Sequence, residues 1–152
     1  MESGLLGELK LENSCRFLLL KVDEMQYAVS MEYVAYIVSA TEPFPSCRLP
    51  ERNSYIERII NIGRQLITVI DLSVLENSKT SYRNKCQRPL ILVLNYNNTL
   101  VGLLADYIDS PLENSELKIE KDEFEQQNFL IYQKQNFILL DVPVFYKKLC
   151  DL

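Results

Sequence analysis

The chain has 152 residues, 47% hydrophobic and 24% charged, the make-up of a soluble globular protein of one domain or of two small units sharing a core. Its net charge of −5 argues against nucleic acid: phosphate binding needs a concentrated basic face, and Arg48, Arg52, Arg58 and Arg64 are interrupted by Glu51 and Glu57. No apolar run approaches the roughly 18–20 residues that cross a bilayer, so no direct membrane insertion is expected.

Residues 1–14, MESGLLGELKLENS, are acidic as well as apolar and lack the basic n-region of a secretory signal; they read as an N-terminal arm ahead of a single domain over 15–150. Arg16–Val22, RFLLLKV, is a strand that stops at Asp23-Glu24, and Gln26–Ser30 follows across a turn short enough for a hairpin. Met31–Ile37 reads as one helical turn feeding a strand. Thr41–Arg52, with Pro43, Pro45 and Pro50, reads as a loop, because proline removes ladder donors and restricts the residue before it. Ser54 suits the N-cap of a short helical turn over Tyr55–Arg58, with Glu57 completing a capping box. Ile59–Ile62 and Leu66–Ile70 are strands around Gly63-Arg64, a pair that suggests a type II′ turn with glycine at the first position. Asn77–Gln87, polar and without periodicity, is the candidate connection between halves.

The second half repeats the scheme. Pro89–Tyr96 and Leu100–Ala105 flank Asn97-Asn98-Thr99, a hairpin tip by composition. Asp106–Leu112 is an exit loop or short strand, and Ser115–Gln127 reads as an acidic solvated stretch. Phe129–Tyr132 and Phe137–Leu140 form the last hairpin around Gln133–Asn136. Val142–Leu149 is a short helix with Val142, Phe145, Tyr146 and Leu149 on one face.

Tyr55–Leu72, YIERIINIGRQLITVIDL, returns in weaker form as Phe129–Val142, FLIYQKQNFILLDV, and the aspartates that close the two copies, Asp71 and Asp141, lie 70 positions apart. The runs that begin at Phe17 and Leu90 repeat in the same order, 73 positions apart. Many short strands with regular turn signals point to an all-β fold, and the repeat selects two small barrels over one sandwich. The expected subdomains cover about 15–80 and 86–150, with strand exchange between them allowed for. Two such units side by side would offer a binding groove at their seam.

Nothing in the sequence marks a catalytic site. There is no histidine, the usual general base for Ser or Cys nucleophiles, and no glycine-rich phosphate loop or G-x-S-x-G. Asp106 and Asp109 read as solvating a strand exit and capping a turn. Asp71 and Asp141, at matching positions of a repeat, read as turn-forming or N-capping residues, since catalytic pairs converge more often from unlike positions. Cys15, Cys47, Cys86 and Cys150 form no C-x-x-C pair and have no histidine to join them, so no metal site or cofactor is expected, and they read as reduced, mostly buried thiols. Of nine tyrosines, Tyr33, Tyr36, Tyr55 and Tyr107 fall near strand exits. They read as half-buried β-surface residues or, more pointedly, as interface anchors.

From Cys15 to Leu149 the chain resembles the CheW-like family, the coupling proteins of bacterial chemotaxis signalling. Phe17–Val22, Tyr27-Ala28-Val29, Val34 and Ile37 match its opening hairpin and the strand beyond. Ile59–Leu72 matches a run of the form apolar-x-N-L-R-G-x-apolar-apolar-P-apolar-apolar-D-L, with Asn61, Ile62 and Asp71-Leu72 kept. Val101-Gly102 and Asp106 match its V-G…V-D pattern, and Leu139–Val142 its C-terminal L-L-D-apolar element.

The resemblance implies two SH3-like five-stranded β-barrels packed side by side, with short helices including one at the C-terminus. It also implies no enzymatic activity and a cytoplasmic scaffold between chemoreceptor cytoplasmic tips and the regulatory domain of a CheA-type histidine kinase. Receptor contacts carried over by position fall on Val34, Tyr36, Asn61, Ile62, Gly63 and Arg64, with Arg58 beside them; the kinase contact has no position here. The alternatives are an adaptor of a non-flagellar chemosensory system, or a stand-alone module that binds a small ligand. The chain departs from the pattern where it has Arg58 for a glycine, Gly63-Arg64 for Arg-Gly, Thr68 for a proline and Tyr107 for a glycine. A guanidinium displaced by one position near a strand can be sent to the other face, so altered partner preference is expected.

Overall fold

The computed structural model describes residues 16–48, 55–77, 88–113, 118–122 and 127–151. Among the described residues thirteen strands follow in chain order: β1 Arg16–Val22, β2 Met25–Ser30, β3 Val34–Ser39, β4 Ser46–Cys47, β5 Ile56–Ile62, β6 Gln65–Ile70, β7 Leu90–Tyr96, β8 Thr99–Ala105, β9 Tyr107–Ile108, β10 Leu112–Glu113, β11 Lys118–Asp122, β12 Gln127–Tyr132 and β13 Gln135–Leu139. A 3-10 turn, Met31–Tyr33, leads into β3, and two helices, α1 Leu72–Asn77 and α2 Val142–Cys150, follow β6 and β13. The mostly β fold, with a seven-strand and a six-strand sheet and short helices including one at the C-terminus, is the one expected.

The chain divides into two units that interleave along the sequence. One holds residues 1–20, 26–33 and 109–152; the other holds 21–25 and 34–108. Neither is one continuous half of the sequence, about 15–80 or 86–150. Each takes a hairpin from one half and its remaining strands from the other.

In the first unit the sheet runs β10-β1-β2-β13-β12-β11. Phe17, Leu19, Ala28, Leu130 and Phe137 form its core, with Leu112, Tyr132 and Leu139 packed against it. In the second unit the order is β3-β7-β8-β6-β5-β4. Its core is Ala40, Ile60, Ile67, Val69, Ile91, Val93 and Leu104, flanked by Tyr36, Val38, Phe44, Ile62 and Leu100.

The two sheets are joined by the same rule. In the first, β2 runs parallel to β13, with Tyr27 opposite Ile138 and Ala28 opposite Leu139. In the second, β8 runs parallel to β6, with Val101 opposite Thr68 and Gly102 opposite Val69. Small residues, Ala28 and Gly102, occupy corresponding places at the two junctions. At Gly102 the reason is direct: a Cβ there would lie 2.7 Å from Cγ2 of Ile91 and 3.3 Å from Cγ2 of Ile67.

Several local expectations are corrected by these pairings. The Gly63-Arg64 turn has φ of 59° and 67°, positive at both central positions, which is type I′ and not II′. Asn97-Asn98 and Gln133-Lys134 form two-residue turns with the same signature. A I′ turn twists with its right-handed strands, which outweighs the cost of a non-glycine residue in the left-handed region. Ile56–Arg58 is strand and not helix, because Ile56 pairs with Ile70 and a single isolated helical turn cannot compete with a ladder; Ser54 lies outside the described residues. Within the expected proline loop, Ser46 and Cys47 pair with Ile60 and Ile59. In the acidic stretch, β11 pairs with β12 at the end of the strand order among the described residues. The 78–87 connection lies outside the described residues.

Candidate functional site

The β5–β6 hairpin carries five of the residues singled out in the sequence, Arg58, Asn61, Ile62, Gly63 and Arg64. Ile62 pairs with Gln65 and Asn61 with Leu66, and the alternation of a strand sends neighbours to opposite faces. Ile62 packs on the core, whereas Asn61, Gly63 and Arg64 are exposed. Leu66, opposite Asn61, is 69% exposed, the most exposed of the large hydrophobic residues described. It escaped the sequence reading because an apolar residue in an apolar run looks like core; the two-residue turn sets the register that turns it outward.

Val34 and Tyr36 lie on β3, at the other end of the strand order. The register against β7 slips by one residue, with Val34 opposite Leu94 and Tyr36 opposite Val93, so the two face opposite sides of the sheet. Tyr36 packs on the core that also receives Ile62.

Arg58 links the two groups. Its Nη2 donates to the carbonyl of Ala40, just past β3, at 2.9 Å, and its Nε donates to Oε1 of Glu57 at 2.7 Å.

The aspartates behave as structural groups. Asp71 Oδ1 accepts from the N–H and hydroxyl of Ser73 at 3.0 and 2.6 Å at the start of α1. Asp141 Oδ1 accepts from the Val144 N–H at 3.2 Å and caps α2. Burial raises the Asp71 carboxyl above its ordinary value against the pull of the hydrogen bonds from Ser73 and Val74, and the charge of Glu57 adds to the rise. Asp106 Oδ2 accepts from the Asp23 N–H at 2.8 Å, tying a hairpin tip to a strand exit, and Asp109 Oδ1 accepts from the Ser110 N–H.

Tyr33, Tyr36 and Tyr55 are half-buried, while Tyr107 is exposed. The expectation of buried thiols fails at Cys47 and Cys150, which are exposed and free: the first sits on a short strand flanked by loop, the second at a helix end. Cys15 and Cys86 lie outside the described residues. Among the described residues no group of three or more Cys, Asp or Glu could hold a metal ion, and no helix is long and apolar enough to cross a membrane.

The β5–β6 tip offers Leu66 and Arg64 to solvent, while Asp71 and Asp141 are spent on capping helices. The chain is a member of the CheW-like domain family, whose model matches residues 16–145. Fifteen solved chains match its fold. One is the crystal structure of the scaffolding protein TtCheW from Thermoanaerobacter tengcongensis, with a TM-score of 0.62 and 18% identity, covering 82% of this chain and 87% of that one. No curated protein sequence matches. Membership carries the family's function, a non-catalytic scaffold of chemosensory signalling that couples receptors to CheA.

Proposed function

We propose that this chain works in the cytoplasm, bridging the cytoplasmic tip of a chemoreceptor to the regulatory domain of a CheA-type histidine kinase. In this reading the receptor-facing surface is built on Val34, Tyr36, Asn61, Ile62, Gly63 and Arg64, with Arg58 beside them. The observation that carries it is the exposed β5–β6 tip, where Asn61, Gly63 and Arg64 meet solvent beside the 69% exposed Leu66. Tyr36 and Ile62 support that tip from the core side, and Arg64 supplies its charge.

Arg64 is the second residue of its turn, so its guanidinium leaves the hairpin one position later than in the family pattern. A partner surface with acidic or glutamine-like groups selected for the usual geometry would pair with it poorly, which makes this a coupling protein with shifted receptor or kinase preference. Titration of a purified receptor tip and of a kinase regulatory domain into the wild-type chain and into Arg64→Ala tests the reading. Binding of both partners by the wild type, with receptor affinity reduced in the variant, supports it. Unchanged affinity would remove Arg64 from the site, and no binding of either partner would refute the bridging role.

A further inference from the structure

Arg58 stands where the family pattern has glycine, and its surroundings are built around it. The register of β5 against β6 slips between Ile56, opposite Ile70, and Arg58, opposite Val69, so Glu57 is the extra residue of a bulge. In a regular strand consecutive side chains leave opposite faces. At this bulge they meet: Arg58 Nε lies 2.7 Å from Glu57 Oε1, with the two side chains only 18% and 15% exposed. The other arm of the guanidinium reaches the Ala40 carbonyl. In the strand order β7, β8 and β6 stand between β3 and β5, so this hydrogen bond joins two segments that no ladder connects.

The loop that follows Ala40 is fastened to β5 at its far end as well. The Asn61 N–H donates to the Pro45 carbonyl at 2.9 Å, and Ser46 and Cys47 pair with Ile60 and Ile59. Arg48 Nη2 lies 3.1 Å from Glu57 Oε2, but Arg48 is 71% exposed, and such a screened pair contributes little. Glu57 and Arg58 are shielded, and a planar fork that binds a carboxylate with one arm and a carbonyl with another is a geometry lysine cannot reproduce.

We infer that Arg58 is a positioning residue: through Ala40 and Glu57 it holds the exit of β3 and the 41–48 loop on β5, and so presets the surface around Asn61 and Arg64 without touching the partner. The inference rests on the reading of that surface as the receptor contact. A preset surface raises the fraction of molecules competent to bind, which speeds association, whereas a direct contact slows dissociation.

The test uses Arg58→Gly, which restores the family's residue, and Arg58→Lys, which keeps the charge. Amide hydrogen exchange is measured at Asn61 and Cys47 and, as a control, at Leu92 and Leu103 in β7 and β8. Stopped-flow rates are measured with a purified receptor tip. Arg58→Gly is expected to cut protection at Asn61 and Cys47 by about tenfold and to slow association about five- to tenfold with dissociation unchanged, and Arg58→Lys to fall between. Unchanged protection at Asn61 overturns the inference. So does faster dissociation at constant association, which would make Arg58 a contact, or an equal loss of protection at Leu92 and Leu103 in both variants, which would make it a general stability residue. If the wild type does not bind a receptor tip, the functional reading fails by itself, and the exchange data alone decide whether the clamp exists.

Discussion

Asp71 and Asp141 each open a helix just after a type I′ hairpin, yet they stand in opposite relation to water. Asp141 is exposed and its Oδ1 accepts from Val144 in the ordinary manner of an N-cap. Asp71 is 1% exposed; its Oδ1 takes both hydrogen bonds from Ser73, and among the described residues its Oδ2 has no hydrogen-bond partner. One repeat therefore contains a solvated cap and a desolvated one.

The buried cap predicts a pH dependence. Burial raises the Asp71 pKa above its ordinary 3.8, so the folded state holds this proton more tightly than the unfolded chain does. The native state then binds more protons in the window that opens at 3.8, and stability falls as pH rises through that window before levelling off above the folded value. Asp71→Asn removes this component while keeping an oxygen to accept from Ser73. Urea unfolding from about pH 4 to pH 7 should show a downward slope in the wild type that is reduced in the variant. Parallel profiles would refute it.

Gly102 tolerates no side chain. Ile91, whose Cγ2 would lie 2.7 Å from an added Cβ, is itself 1% exposed, so it has nowhere to move. Gly102→Ala is expected to cost about 1–3 kcal/mol by overpacking, read as a lower urea midpoint at constant slope. The usual effect of Gly→Ala in a strand has the opposite sign, so the direction alone is a test.

The Gln133-Lys134 turn places two side-chain-bearing residues at φ of 53° and 64°. Asn-Gly is the pair best suited to a I′ turn, and the double substitution Gln133→Asn, Lys134→Gly is expected to stabilise the chain by about 1 kcal/mol. Thermal unfolding checks this; a lower midpoint would mean that Gln133 or Lys134 makes contacts that outweigh turn strain.

Leu66 separates binding from stability. At 69% exposure its replacement by serine should leave the unfolding free energy within about 0.5 kcal/mol of wild type. If the β5–β6 tip is the receptor contact, the same variant should bind a receptor tip at least about tenfold more weakly by calorimetry, since burying a leucine side chain contributes about 1.5–3 kcal/mol. Unchanged affinity would move the contact elsewhere.

The hairpins were legible because their signals are local. Apolar runs around short polar turns place β1–β2, β5–β6, β7–β8 and β12–β13 to within three residues, and the recurrence of Asp71 at Asp141 announced both caps. Of the candidate site, Gly63 and Arg64 were readable as the turn of a hairpin, and Asn61 as part of the strand before it. Leu66, the bulge at Glu57 and the engagement of Arg58 with Ala40 were not, because each depends on the register of one strand against another.

By itself, then, the sequence determined the main hairpins, the C-terminal helix, the repeat and the family. Short-range steric and hydrophobic preferences act within a hairpin and need no distant partner. Tertiary structure alone decided which hairpin joins which. The parallel junctions of β2 with β13 and β8 with β6 bring together positions about a hundred and about thirty residues apart, and nothing local encodes such a choice. Those junctions interleave the two halves. Within the second unit, the slips in register at β3 and β5 then decide which side chains reach the core and which reach solvent.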